Sequence, residues 1–386
     1  MDIRQNKKLL YVGYYVDDET FETAIRAGNH DLSRARQNFE KRLLSAFSEN
    51  LSKDEWSIVS YFPSNGGVSQ FESFVNHKAI DVFSFSQTIA DCLKAYKAFR
   101  QYLINRNEKS FEVVLYSLQP IMTLACLSLK RRLNIRITTI CSELPQYRAA
   151  GNKVPIKRRI KNILQKYLNR CVDQYILFSN AMRDEIPVGN KRAIVVEGIA
   201  PEINLSEKQP QKENIVMYAG GLGKQNNIRM LIDACKKSKL VEQLWICGDG
   251  DELDYVKQHT NEKVRYLGNL TNDEVLRLEK YAKVLVNIRD PQIMVTKYAF
   301  PSKILEYLSV GTAVVSTVLE GIPNEYYEFI KAVTDVSVDG VSQCIDEILE
   351  LPENEYNELC NNGEKWISEN KTADAQAKRI LKFVFS

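Results

Sequence analysis

The sequence carries only three histidines, at 30, 77 and 259, and no Cys-x-x-Cys pair. Its eight cysteines (92, 126, 141, 171, 235, 247, 344 and 360) stand singly, most of them in apolar runs. That spacing excludes common zinc frameworks and a disulfide scaffold, and predicts reduced, buried thiols. No apolar run approaches the roughly 18 residues of a membrane span. The start, Met1-Asp-Ile-Arg-Gln-Asn-Lys-Lys, lacks the apolar core of a signal peptide, so the expected location is the cytoplasm. The Gly-x-x-x-x-Gly-Lys-Ser/Thr pattern is absent, which excludes a Walker-type phosphate loop. No Ser-His-Asp or Cys-His arrangement can be assembled.

What is present describes a folded protein of more than one core. With 386 residues, 44% of them hydrophobic and 26% charged, two domains of roughly 150–200 residues are expected. The net charge of +3 hides an asymmetry: between Lys130 and Arg170 twelve Lys and Arg face one acid, Glu143, leaving −8 for the rest of the chain. Within this block, residues 155–170 place Ile156, Ile160, Ile163, Leu164, Tyr167 and Leu168 at helical spacing with cations between them. This is a basic amphipathic helix, and residues 153–170 suit an anionic membrane surface. An ordinary surface helix packed on its own domain is the plainer alternative. Nucleic acid is disfavoured, because no stacking aromatics alternate with the cations.

Apolar strands and helical stretches alternate along the whole chain, which predicts α/β architecture with two doubly wound parallel sheets. Expected strands are 9–16, 56–61, 111–117, 135–141, 174–178 and 193–196, then, beyond a polar linker at 200–214, 215–219, 243–247, 264–267, 284–288, 313–316 and 332–336. The expected domains are 1–200 together with 366–386, and 201–365. In such sheets ligands gather beyond the carboxyl ends of the strands, so the loops there are the candidates.

Residues 300–317 are the most informative of these loops. Pro301 suits a first helical turn, Ser302 or Thr296 is in reach as its cap, and Gly311 marks its end. Lys303 and the free N–H groups of that turn make an anion site, with Glu306 one turn further along the same face. A phosphate joined to a hydroxyl-rich group fits this pairing. A plain amphipathic helix with Ile304, Leu305 and Leu308 inside fits the spacing equally well.

Other loops could converge on it. Gly220, Gly221, Gly223 and Lys224 form a second candidate phosphate loop. Gly248, Asp249 and Gly250 open the next helix; the third glycine of a dinucleotide fingerprint falls at Leu253, and Asp249 is better explained as a turn cap than as a metal ligand. Leu267 and Gly268 could present backbone groups to a base, and Arg289 is a candidate pyrophosphate partner or a surface ion pair. In the first half, Gly28 and His30 lie at a turn before a helix capped by Ser33. Glu143 stands at a strand end, where it could touch a sugar, act as a base or pair with nearby cations.

Together these residues resemble the glycosyltransferases of the GT-B fold, most closely the retaining family 4 branch that builds bacterial surface polysaccharides. The likeness is carried by residues 214–330: Ala219-Gly-Gly-Leu-Gly-Lys, Cys247-Gly-Asp-Gly-Asp-Glu-Leu, Val264-Arg-Tyr-Leu-Gly-Asn-Leu and Phe300-Pro-Ser-Lys-Ile-Leu-Glu-Tyr-Leu-Ser-Val-Gly-Thr. It implies a second domain holding a nucleotide diphosphate sugar, a first domain holding the acceptor, and a closing helix that returns to the first. The donor would meet Gly220, Gly221, Lys224, Gly248, Asp249, Gly250, Leu267, Gly268, Arg289, Tyr298, Pro301, Ser302, Lys303 and Glu306, and the acceptor Gly28 and His30. By position Glu306 is the second glutamate of the family's Glu, seven residues, Glu motif and binds the ribose. The first glutamate is replaced by Tyr298. The family's phosphate-binding Arg and Lys are replaced by Gly221 and Asn226, and its first-domain His is missing at Ser142–Glu143. Lys224, Arg289 and Lys303 could restore the charge. The resemblance implies transfer without a metal or other cofactor, with Glu306, Lys303 and Glu143 as the residues at the chemistry, to a hydroxyl of a lipid-linked glycan at the inner face of a membrane. A nucleotide-sugar 2-epimerase or a non-catalytic binding subunit on the same fold are the alternatives.

Overall fold

A computed structural model describes residues 7–27, 32–64, 67–108, 110–142, 144, 156–203 and 210–386, with 156–162 as backbone. Gly28, His30, Glu143 and the 153–155 end of the basic segment lie outside the described residues. The chain forms two compact α/β units: Met1–Phe178 with Met182–Ile199 and Ala373–Ser386, and Ser179–Ala181 with Ala200–Thr372.

The first unit runs β1 (Lys8–Gly13), α1 (Asp18–Arg26), α2 (Arg34–Asn50), β2 (Trp56–Pro63), β3 (Val68–Val75), β4 (Lys78–Phe85), α3 (Ile89–Ile104), β5 (Phe111–Tyr116), α4 (Pro120–Leu129), β6 (Ile135–Cys141), α5 (Ile156–Cys171), β7 (Gln174–Leu177) and β8 (Arg192–Val195). Its strand order is β3-β4-β2-β1-β5-β6-β7-β8. Every neighbouring pair is parallel except β3 with β4. That hairpin is absent from the sequence-based expectation. Its turn is Asn76-His77, both at positive φ (44° and 61°), a conformation Asn adopts readily, and it closes Val75 against Lys78. The segment after β1 also differs from expectation. Asp17 accepts from the Thr20 N–H (2.9 Å) and caps α1, where the expected strand runs on to residue 16. Ser33 caps α2 as expected, accepting from the Arg36 N–H at 3.4 Å.

The second unit runs β9 (Glu213–Ala219), α6 (Ile228–Lys237), β10 (Gln243–Cys247), α7 (Leu253–Gln258), β11 (Val264–Gly268), α8 (Asn272–Tyr281), β12 (Ala282–Asn287), α9 (Met294–Tyr298), α10 (Lys303–Ser309), β13 (Ala313–Thr317), β14 (Ile330–Val333), α11 (Val338–Leu349) and α12 (Glu353–Asn370). The sheet is parallel throughout, in the order β11-β10-β9-β12-β13-β14. Alternation along β9 shows why it is buried on both faces. Ile215, Met217 and Ala219 enter one apolar cluster with Phe300, Ile304 and Leu308, while Val216 and Tyr218 enter another with Leu231, Ile232 and Ile345.

The expected return to the first unit at residue 366 falls later. α12 stays with the second unit because Trp366 is held there by aromatic contacts, with ring centroids 4.8 Å from Tyr326 and 5.1 Å from Phe329. Only α13 (Ala373–Phe385) belongs to the first unit, where the Asn50 amide donates to Asp374 (2.9 Å) and the Gln376 amide to the Gly198 carbonyl (3.1 Å). The cysteines are all unpaired, five of them buried.

Both sheets have a switch point, where the chain leaves a central strand in opposite directions. In the first unit it lies between β1 and β5. There the Tyr14 hydroxyl donates to the Ser117 carbonyl (3.2 Å), and the buried Glu40 sits under Gly13, accepting from the Tyr11 hydroxyl (2.8 Å) and the Tyr14 N–H (3.0 Å). A Cβ on Gly13 would lie 2.0 Å from Glu40 Oε1, so no larger residue fits without moving the carboxyl. Burial, partly opposed by those two hydrogen bonds, pushes the Glu40 carboxyl up from 4.5 to about 7. A raised carboxyl favours the folded state in its neutral form; that advantage is complete below the unfolded value and is lost as pH rises through about 7. Glu40→Gln should therefore remove a loss of stability of about 3 kcal/mol that the wild type suffers between about pH 5 and 8. Thermal unfolding across that range checks it, and parallel curves for the two proteins would contradict it.

Candidate active site

At the switch point of the second sheet, the loops after β9 and β12 diverge from neighbouring strands. The β9 loop is fixed by backbone contacts with its neighbours. The Gly220 N–H donates to the Cys247 carbonyl (3.0 Å), the Leu222 N–H to the Asp249 carbonyl (2.8 Å), and the Glu252 N–H to the Leu222 carbonyl (2.8 Å). Two glycines permit this approach. Gly248 has φ +128°, and a Cβ there would sit 1.9 Å from the Gly220 carbonyl oxygen; Gly250 has φ +153°, and a Cβ there would sit 2.7 Å from the Leu222 carbonyl carbon. The glycines expected to line a nucleotide pocket thus interlock two loops. The β11 loop joins them, since the Gly248 N–H donates to the Gly268 carbonyl at 2.9 Å. Asp249 accepts from the adjacent Gly250 N–H (2.8 Å), but it does not cap the helix that follows: the cap residue of α7 is Glu252, which makes no side-chain cap bond. Leu267 packs against the apolar cluster beneath.

Gly221 differs from its neighbours. Nothing lies within 4 Å of a Cβ added there, and its carbonyl is held twice, by the Tyr218 hydroxyl and the Asn226 amide, both at 2.7 Å. Asn226 therefore supports the loop. Lys224 lines a cavity of about 270 Å³ with Asn227, Arg229 and Glu252, where Arg229 and Glu252 are ion-paired.

After β12, Arg289 is half-buried, and its Nε is a buried donor with no acceptor among the described residues. Burial draws its pKa down, and Tyr218 and Tyr307 are the groups close enough to act on it. A surface ion pair with Asp290 is not its role. The backbone around it is tied to the β9 loop and to β13: the Asp290 N–H donates to the Gln225 carbonyl (3.0 Å), and the Thr317 hydroxyl to the Arg289 carbonyl (2.7 Å).

The 300–317 stretch needs one correction. α10 has only seven residues, its cap residue Ser302 makes no side-chain cap bond, and the Thr296 hydroxyl is buried without a partner among the described residues. The terminus is closed instead by the Ile304 and Leu305 N–H groups, which donate to the Pro301 and Ser302 carbonyls at 2.9 and 3.1 Å. Charge at this end comes mainly from Lys303, whose Nζ donates to Glu306 Oε1 at 2.5 Å. The two residues assigned by resemblance to phosphate and ribose are therefore paired with each other. Gly311 ends the helix with φ +64°, as expected. Tyr298 is buried in the second unit, its carbonyl accepting from the Ser179 hydroxyl at 2.6 Å. Lys303 acts on the thiol of Cys247, the residue whose carbonyl accepts from the Gly220 N–H. Burial pushes that thiol up to about 11, with Lys303 pulling the other way.

Glu279 was not anticipated. It is fully buried on α8 one turn after Val275, so the available signal was an acid on the apolar stripe of a helix. Its carboxyl lies well above the ordinary range, first from burial and then from Glu306, with Lys303 and Lys212 opposing.

Residues 201–366 match the model of the family Glycosyl transferases group 1. Similar solved structures cover the whole chain. Anabaena HepE in complex with UDP is 14% identical with a TM-score of 0.65, over 97% of this chain and 98% of that one. A glycosyltransferase from Rickettsia africae is 12% identical with a TM-score of 0.64, over 98% of each chain. Sucrose-phosphate synthase from Thermosynechococcus elongatus is 12% identical with a TM-score of 0.63, over 97% and 98%. This chain is a glycosyltransferase of the GT-B fold. Among curated proteins, none matches its sequence. In this glycosyltransferase the match spans the second unit, the one that carries the glycine loops, Arg289, Lys303 and Glu306.

The two glycines should respond oppositely to alanine. Gly248→Ala forces a collision at positive φ and should lose at least about 2 kcal/mol of stability. Gly221→Ala has open space and should stay within about 0.5 kcal/mol of the wild type. Thermal and urea unfolding of both variants check this, and equal losses would contradict it.

Proposed function

We propose that this glycosyltransferase moves a sugar from a nucleoside diphosphate sugar, with a UDP-sugar as first choice, to a hydroxyl of a lipid-linked glycan in polysaccharide synthesis, with retention of anomeric configuration. The observation that carries the donor reading is Arg289, a half-buried side chain whose buried Nε has no acceptor among the described residues, at the switch point beside the Tyr218–Gly221 loop. A buried cation lacking an anion invites one from a ligand. The UDP bound to HepE supports uridine as the base to test first.

In this reading Arg289 and Lys303 stabilise the charge that develops on the leaving diphosphate, and Glu306 accepts from the ribose hydroxyls. Lys303 must exchange its Glu306 partner for phosphate when donor binds; until then the ion pair holds the two side chains together. Neither a metal nor a strong protein base is required if the departing phosphate takes the acceptor proton. Gly221 leaves room where the related enzymes carry an arginine, and the charge arrives from the other side of the switch point. Calorimetry of the purified chain against UDP, GDP, ADP and CMP tests the base. Arg289→Met and Glu306→Ala should each weaken the best nucleotide by about ten- to a hundredfold, with Arg289→Met leaving the free nucleoside unaffected. Unchanged binding in both variants would overturn the assignment.

A peripheral position on an anionic membrane is supported by α5. Ile163 and Tyr167, one turn apart, are 69% and 61% exposed, flanked by exposed Lys166 and Arg170. Among the described residues no helix is long and apolar enough to cross a membrane. Apolar side chains in a cationic field suit an interface where lipid supplies both contacts. Co-sedimentation with vesicles containing phosphatidylglycerol should be strong at low salt and lost in Ile163→Glu/Tyr167→Glu, and equal binding by that variant would contradict this.

A further inference from the structure

Glu279 has no place in the mechanism above, yet it is the most deeply enclosed acid near Glu306. Its two oxygens find no hydrogen-bond donor among the described side chains, and the polar group within reach is another carboxyl, that of Glu306 on α10. Two carboxyls can share a hydrogen bond only if one of them holds a proton.

Placing that proton follows from the surroundings. Glu306 is partly exposed and pairs with the Lys303 ammonium at 2.5 Å, whereas neither buried oxygen of Glu279 has such a cation, so the shared proton is assigned to Glu279. Glu279 is sealed between α8 and the sheet, with Lys303 and the Lys212 ammonium acting on it only at longer range. Lys212 is itself engaged by the Thr312 hydroxyl, which in turn donates to the Glu279 main-chain carbonyl at 3.0 Å. The remaining titratable neighbours, Cys247 and Tyr307, are both held neutral by burial.

We propose that Glu279 is a positioning residue for the donor site: it carries the proton and donates it in a hydrogen bond to Glu306, holding the Glu306 carboxylate in place to accept from the ribose. This rests on the reading of Glu306 as the ribose acceptor. Pairing one neutral and one ionised carboxyl with Lys303 balances the buried charge, whereas two ionised carboxyls would repel and turn Glu306 away. Glu279 itself touches neither donor nor sugar.

The role separates from plain packing through donor chemistry at position 279. Glu279→Gln keeps an N–H that can donate to Glu306, and should bind UDP within about threefold of the wild type. Glu279→Leu has similar bulk but no donor, and should weaken UDP by about ten- to thirtyfold, raising the donor KM with kcat changed far less. If Gln and Leu behave alike, the proposal is overturned. Infrared difference spectra of wild type and Glu279→Gln, taken without ligand, supply the second measurement should Leu fail to fold. The wild type should show the carbonyl band of a protonated carboxyl that the variant lacks, and its absence would overturn the proposal. The infrared result stands even if no nucleotide binds, in which case the donor-site reading falls and the carboxyl pair does not.

Discussion

The second unit depends on a backbone-to-backbone contact: the Gly220 carbonyl occupies the space that any side chain on residue 248 would need. Because Gly248 and Gly250 let the β10 loop press against the β9 loop, their amides and carbonyls satisfy each other at 2.8–3.0 Å, and the glycine loop is rigid before any ligand arrives. Rigidity at a switch point is what a phosphate site requires, since the donor groups are then prepaid in orientation. The glycines divide into two kinds. Gly248 and Gly250 build the frame, and Gly221 leaves the opening.

Charge is arranged around that opening from several strands. The β9 loop holds Gly221 and Asn226 at the two positions where the resemblance leads one to expect cations. In our proposal that charge comes from Arg289 in the β12 loop, whose Nε lacks an acceptor among the described residues, and from Lys303 in α10, held by Glu306. Burying an arginine nitrogen is unfavourable without an acceptor, and among the described residues its Nε has none. Glu279 is a second buried group here whose polar atoms lack a partner among the described side chains, and the proposed proton shared with Glu306 would satisfy it.

Most strands of both sheets were legible because a parallel strand buried on both faces reads as a continuous apolar run. Val216–Ala219 and Val113–Tyr116 are such runs. The β3–β4 hairpin was not, because Val68–Val75 lies at the sheet edge with mostly exposed side chains, and its turn signal is Asn-His in place of the usual Asn-Gly. At the site, the glycine loops and the Lys303–Glu306 spacing were readable from local pattern. The pairing of Lys303 with Glu306, the buried Nε of Arg289 and the carboxyl of Glu279 were not, since each depends on which elements pack together. The end of the second unit was misjudged for the same reason: Trp366 looked like part of a returning helix until its aromatic partners Tyr326 and Phe329 were known.

The central claim is that the second unit binds a nucleoside diphosphate sugar between its β9 loop, Arg289 and α10. A crystal structure of the chain with bound UDP tests this most directly. The account predicts the diphosphate against the Gly220–Gly221 backbone, Arg289 and Lys303, with Lys303 turned away from Glu306 and the ribose hydroxyls on the Glu306 carboxylate. A diphosphate seated instead at Lys224 and Arg229, with the Lys303–Glu306 pair intact, would contradict it.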